Sequence, residues 1–267
     1  MRKAICLWGI AAALAFGVLS GCGGGNQQAA GQAGNTGQGQ SNAFKGKITM
    51  ATSADFKPFE FHDTSSGNDV IDGFDIDVAK AIAKELNYEL DIKDMDYTGL
   101  LSALQANRFD FVMAAMNPTE ERRKNVDFSD PYYKTKFAVV YKSGNSYKSI
   151  SDLKGKKIGV QLGSSQEAAA QKAGGMDLVS LNKVPDLIQE LKSNRIDGVI
   201  VEDLVAEDYV KANNELAYSS LDDLEGLDVS IAFPKGSKRV EEFNKAVQAL
   251  KDQGELQKLE EKWFGKK

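Results

Sequence analysis

From residue 47 onward, short apolar runs alternate with amphipathic stretches. Lys47-Ile48-Thr49-Met50-Ala51 predicts a strand, and Asp75 is placed to cap a helix over 76–86 whose Val78, Ile82 and Leu86 share one stripe. Lys157-Ile158-Gly159-Val160 and Val199-Ile200-Val201 predict two further strands, and an alanine-rich segment over 167–173 predicts a helix. Strands alternating with helices of this length indicate βαβ units, mostly parallel sheets and an α/β fold class. The segment from Leu100 to Met113 matches the segment from Leu187 to Ile200, each a helix, a turn at Asn-Arg, an aspartate and a buried strand. The offset of 87 residues between Leu100 and Leu187 is too long for a solenoid period. It predicts two related lobes, each with its own sheet, and a cleft outside the carboxyl ends of the strands.

Composition narrows the function classes. With 42% apolar and 27% charged residues, the 267-residue chain is neither disordered, collagen-like nor a multi-span membrane protein. A net charge of −5 gives no support for nucleic-acid binding. Two cysteines and one histidine leave too few ligands for a zinc site, so neither a metal nor a cofactor is expected. No G-x-S-x-G, P-loop or G-x-G-x-x-G occurs, and His62, beside Asp63, reads as a surface residue in a loop. No catalytic residue is therefore assigned.

The N-terminus reads as an address. Arg2 and Lys3 precede an uncharged, mostly apolar stretch from Ala4 to Ser20. Leu19-Ser20-Gly21-Cys22 resembles the bacterial lipobox, which implies removal of residues 1–21 as a signal peptide and diacylglyceryl and palmitate-type acylation of Cys22. Cys6 would leave with the signal, so no free thiol would remain in an oxidising extracytoplasmic space. Two or three acyl chains would hold the protein durably on the membrane. Residues 23–43 contain seven glycines and no charge, too little apolar material to offset ordering entropy. With Cys22 they form a flexible tether over 22–43, about 25 Å long on average.

A family resemblance rests on ordered motifs: Ala54-Asp55-Phe56-Lys57-Pro58-Phe59-Glu60-Phe61, Gly73-Phe74-Asp75-Ile76-Asp77, Arg122 with Val126-Asp127-Phe128-Ser129-Asp130-Pro131-Tyr132-Tyr133, and Lys262-Trp263-Phe264-Gly265. Their order and spacing resemble the polar amino-acid-binding proteins of ABC transporters, over about residues 46–265. The resemblance implies a two-lobed type II periplasmic-binding-protein fold whose lobes, joined by two hinge crossovers, close on a ligand. It places lobe 1 at 44–136 with 231–267 and lobe 2 at 137–230. It further implies a monomeric, lipid-anchored receptor on the outer face of the cell membrane, delivering a free amino acid to permease subunits driven by a separate ATPase.

An amino acid presents a carboxylate, an ammonium group and a side chain. Arg122 offers a planar fork for the carboxylate and lies just after Asn117-Pro118-Thr119-Glu120, where Asn117 reads as an N-cap and Pro118 as the first helical residue. Ser164-Ser165-Gln166-Glu167 repeats the device after Leu162-Gly163, with a capping-box spacing from Ser164 to Glu167. By resemblance Ser164, Ser165 and Gln166 contact the same carboxylate from the second lobe. Glu202, at the end of a strand where relatives usually carry aspartate, would take the ammonium group with the Ala115 carbonyl and Asn117. Phe56 and Tyr97 match aromatic positions that flank the ligand side chain, although either ring alone also reads as core.

The side-chain subsite reads as neutral. Relatives that hold cationic or amide side chains often carry aspartate where Ser53 stands, and polar or charged groups at Gln161 and Val201. Asp55, Glu60 and Asp72 are the acids close enough in sequence to approach, and a neutral polar ligand such as glutamine or cystine is favoured over arginine, lysine or histidine. The rival function is a dehydratase-like lyase on the same fold, for which Glu202 would be the proton donor.

Overall fold

The computed structural model describes residues 44–266. The segments expected to be a signal peptide, an acylated Cys22 and a tether lie outside the described residues.

The chain begins with β1 (Lys47–Thr52), a short three-stranded sheet of β2 (Asp55–Phe56), β3 (Glu60–Asp63) and β4 (Val70–Asp72), then α1 (Phe74–Leu86) and β5 (Glu89–Asp94). It continues through α2 (Tyr97–Gln105), β6 (Phe111–Val112), the single-turn α3 (Glu120–Arg123) and β7 (Val126–Phe128). β8 (Tyr133–Thr135) leads out to β9 (Phe137–Lys142), a 3-10 turn at Ile150–Leu153, β10 (Lys157–Gln161), α4 (Ser165–Ala173) and β11 (Asp177–Leu181). Next come α5 (Val184–Lys192), β12 (Gly198–Glu202), α6 (Asp203–Ala212) and β13 (Leu216–Ser220). β14 (Leu227–Val229) leads back to β15 (Ala232–Pro234), and α7 (Arg239–Asp252) and α8 (Glu255–Phe264) close the fold.

Two five-stranded sheets result, ordered β5-β1-β6-β15-β7 and β11-β10-β12-β9-β13. In each, the first three strands are parallel and the fourth runs antiparallel to its neighbours. The sheets define two lobes. Where the chain passes between them, β8 and β14 pair antiparallel with Tyr133 opposite Val229. His62 lies in β3 rather than in a loop, and its two ring nitrogens face the carboxylates of Asp69 (2.8 Å) and Asp94 (3.4 Å).

The internal similarity has a structural cause. Asn107 and Asn194, equivalent positions after α2 and α5, both adopt left-handed backbone (φ 53° and 58°), a conformation asparagine tolerates better than most residues. Asp110 then accepts the Thr49 backbone N–H at 2.8 Å, and Asp197 accepts that of Lys157 at 2.8 Å. Each aspartate thus ties the turn of its repeat to the parallel strand that neighbours the repeat's own strand, β1 beside β6 and β10 beside β12.

Around the first sheet, Phe59, Phe74, Tyr133 and Phe264 form one aromatic cluster, with Phe74 and Phe264 centroids 4.7 Å apart. Phe264 thereby anchors α8 against Phe59 and Phe74. Gly73 precedes α1 at φ 138°, where a Cβ would lie 2.1 Å from the Phe59 carbonyl oxygen, so only glycine fits there. Asp75 is not the cap of this helix. It is buried in the first turn and its Oδ2 accepts the Ala115 N–H at 2.8 Å.

Candidate functional site

The carboxyl ends of the parallel strands meet between the lobes around a polar pocket. Its walls are Ser53, Asp55, Phe56, Glu60, Tyr97, Ala114, Ala115, Asn117, Gln161, Ser164, Gln166 and Glu202. Both lobes contribute, the first through residues 53–117 and the second through residues 161–202.

Local structure sets each wall. Ala115 sits at φ 44°, an uncommon conformation for a residue with a Cβ, held by the buried Asp75 carboxylate on its N–H. Asn117, almost fully buried, donates its Nδ2 to the Asp228 carbonyl at 3.0 Å. It is not the helix cap that its spacing suggests: Thr119 caps α3, accepting the Arg122 N–H on its hydroxyl at 3.3 Å. Ser164 does cap α4, accepting the Glu167 N–H at 3.1 Å. Glu167 does not return its carboxylate to Ser164; it accepts from the Gly163 N–H at 2.7 Å and from the Ser180 hydroxyl at 2.6 Å. Gly163, at φ 76°, is thereby pinned facing Thr98 of the first lobe.

Arg122 reaches the cleft but does not line the pocket. Its Nη1 donates to the Asn117 carbonyl (2.9 Å), and its Nη2 donates to the Tyr97 hydroxyl (3.0 Å) and, across the lobes, to the Gly163 carbonyl (3.0 Å). It lines instead an outer groove beside the pocket, together with Ser165. Ser165 is buried and its hydroxyl has no partner. Phe56 is buried and stacks on Phe59, centroids 6.2 Å apart, while Tyr97 opens α2 beside Arg122. Val201 belongs to the core and does not face the pocket.

Electrostatics distinguishes the site. Asp55, Glu60 and Glu202 line the pocket, Asp75 lies behind it, and no lysine or arginine is among the walls. Glu60 and Glu202 are each 1% exposed, and one carboxylate oxygen of each has no hydrogen-bond partner. Burial pushes Glu202 up to about 8, with repulsion from Asp203 and Asp75 adding to it. Burial, then the nearby charges of Asp75, Asp55 and Glu202, hold Glu60 well above the usual carboxylate range, and burial raises Asp75 to about 6. Such a cluster stores protons at neutral pH and strongly favours any cation brought among its members.

Glu60, which the sequence offered only as an acid able to approach, lines the pocket, and Asp75, which it read as a helix cap, stands behind it. The signal for Glu60 is an acid between two phenylalanines in a short strand, where a buried carboxylate needs a functional reason. Asp72, by contrast, points away and lies 3.8 Å from Lys80 on the surface.

Two α/β lobes joined by paired crossovers, with a buried polar pocket at their facing strand ends, define a receptor for a small solute. The chain belongs to the bacterial extracellular solute-binding proteins, family 3, whose model matches residues 48–266. It is 43% identical over 229 residues to the arginine-binding extracellular protein ArtP of Bacillus subtilis, covering 84% of this chain and 88% of that relative. Among solved structures it resembles an ancestral arginine-binding protein bound to glutamine, with a TM-score of 0.77 and 43% identity over 84% of this chain and all of that one. It also resembles the arginine-, lysine-, histidine-binding protein ArtJ from Geobacillus stearothermophilus, with a TM-score of 0.78 and 30% identity over 83% of this chain and 96% of that one.

Proposed function

We propose that this chain is the receptor of an ABC importer, and that its ligand is a cationic amino acid, with arginine first among them. The observation that carries this reading is the pocket's charge: three buried acids line it, a fourth stands behind, and no cationic side chain is present among the walls. Arginine brings two cations, so Glu202 takes the α-ammonium group and Glu60 the guanidinium, with Phe56 and Tyr97 against the aliphatic stem. This reverses the expectation of glutamine or cystine, which assumed a subsite without acids. Relatives named as arginine-binding support the same choice.

The α-carboxylate goes to the seam between the lobes. There Arg122 exchanges the Gly163 carbonyl for the ligand, and Ser164, Ser165 and Gln166 meet it from the N-terminus of α4. Gln161 and Asn117 complete the polar wall. Because these groups come from both lobes, the ligand is fully coordinated only when the lobes close, and closure is the signal passed to the permease. The crossovers near 136–137 and 230–231 are the hinge between lobe 1 (44–136 with 231–267) and lobe 2 (137–230). The role is binding without catalysis; the matched family and relatives are binding proteins, and none of them favours a lyase.

Cys22 anchors the protein by acyl chains after residues 1–21 are removed, and residues 22–43 let a monomer reach its permease from the outer face of the membrane. A thermal-shift series with the twenty amino acids, cystine and ornithine tests the ligand class. A ligand at 100 times its dissociation constant adds about 2.7 kcal/mol of stability. The largest shifts should come from arginine, and a largest shift from cystine or an acidic amino acid would reject the cationic assignment.

A further inference from the structure

We infer that Asp55 is not a ligand group but a latch between the lobes, a first-lobe carboxylate that caps a second-lobe helix. Helix α5 begins without a cap of its own, since its N-cap residue Lys183 supplies no side-chain acceptor. The Val184 N–H at its start donates instead to Asp55 Oδ2, at 2.9 Å and 129 residues away in sequence. Gln161 Nε2, also from the second lobe, donates to the same oxygen at 3.1 Å, and the Ser53 hydroxyl donates to Oδ1 at 2.8 Å. Lys183 adds charge at this corner, 3.4 Å from Asp96 of the first lobe.

Asp55 thus lines the pocket with both its oxygens committed to the protein, whereas Glu60 and Glu202 each keep an oxygen without a partner. The helix N-terminus favours an anion through its free N–H groups and its dipole, and here the other lobe provides it. These bonds exist only while the lobes are together, and none of them involves a solute. They weight the closed form for every ligand equally, so the apparent affinity scales with the closed fraction they set. This rests on the reading that the solute is held between closed lobes.

The test measures closure apart from binding. The full-length chain carrying Lys84→Cys and Lys172→Cys, with Cys6→Ser and Cys22→Ser, takes spin labels at exposed positions on α1 and α4. Pulsed dipolar spectroscopy without any amino acid then reports the distance between the lobes. Asp55→Ala should move the distribution to longer distances, and Gln161→Ala, which removes one of the two cross-lobe donors, should move it part of the way. Asp55→Asn should hold the short distance, since its oxygen still accepts from Val184 and Gln161 while its amide donates to the Ser53 hydroxyl. In calorimetric titrations Asp55→Ala should weaken glutamine about two- to thirtyfold, as for a lost helix cap, and arginine by at least that factor. An unchanged distance distribution in Asp55→Ala would overturn the latch, as would a loss confined to arginine and shared by Asp55→Asn. Failure of arginine to bind the unmodified protein would reject the proposed ligand, while the distances would still decide the latch.

Discussion

With arginine as the proposed ligand, Glu202 makes binding a proton-linked event. Burial raises its carboxyl to about 8, so at pH 7 about one molecule in eleven carries the charge that the ligand ammonium group needs. A cation at the unpartnered oxygen draws the carboxyl back to its ionised form, and binding therefore releases a proton. Affinity is reduced by the share of protein that must ionise: about twofold at pH 8, about tenfold at pH 7 and about a hundredfold at pH 6. Asp75, raised to about 6, and Glu60, held well above the usual carboxylate range, are coupled to it, and release from Glu202 itself approaches one proton per arginine at pH 6 and falls to about half at pH 8.

The sign for stability runs the opposite way. A carboxyl whose folded value is raised binds more protons folded than unfolded, so the ligand-free protein loses stability as pH rises from about 4.5 to 8. At pH 7 that loss from Glu202 is about 3 kcal/mol, at 1.4 kcal/mol per pH unit. Glu202→Gln should consequently raise the ligand-free melting temperature at pH 8 by several degrees while removing Glu202's share of the pH dependence and most of the affinity. Titration calorimetry at pH 6, 7 and 8, in buffers of different ionisation enthalpy, reads both proton release and affinity. An affinity flat across this range, with heats independent of buffer, would refute the reasoning.

Three further outcomes are expected. Arg122→Ala should weaken arginine binding by about 10²–10⁴, the cost of leaving a buried ligand carboxylate without its partner, and calorimetry showing less than a threefold loss would remove Arg122 from the site. Glu60→Gln should cost arginine at least tenfold yet spare glutamine, read as a ratio of dissociation constants. Cys22→Ser should abolish labelling by a fatty-acid probe and leave an uncleaved precursor on a gel; equal labelling would discard the lipid anchor.

Much of the framework was legible in the residues because local chemistry decided it. The repeated Asn-Arg turn reappears as left-handed backbone at Asn107 and Asn194, and the repeated aspartates tie their turns to β1 and β10. The Ser164 cap formed as its spacing suggested. The errors have one physical source, since a short polar side chain before an apolar stripe can serve its own helix or a distant backbone group. Asp75 and Asn117 both read as caps; Asp75 holds the Ala115 N–H, and Asn117 reaches the Asp228 carbonyl. Spacing carries no record of such long-range partners. Glu202 was assigned from the sequence and Asp55 and Glu60 were named as acids able to approach, but that all three line one pocket follows only once β2, β3 and β12 are brought to one cleft.

The central claim is that buried acids between two lobes select a cationic amino acid. Competition calorimetry of the purified chain at pH 8, with arginine displacing glutamine or titrated directly against it, tests this most directly. The account predicts one arginine per chain, bound at least tenfold more tightly than glutamine. Equal or tighter binding of glutamine, or no heat with arginine, would contradict it.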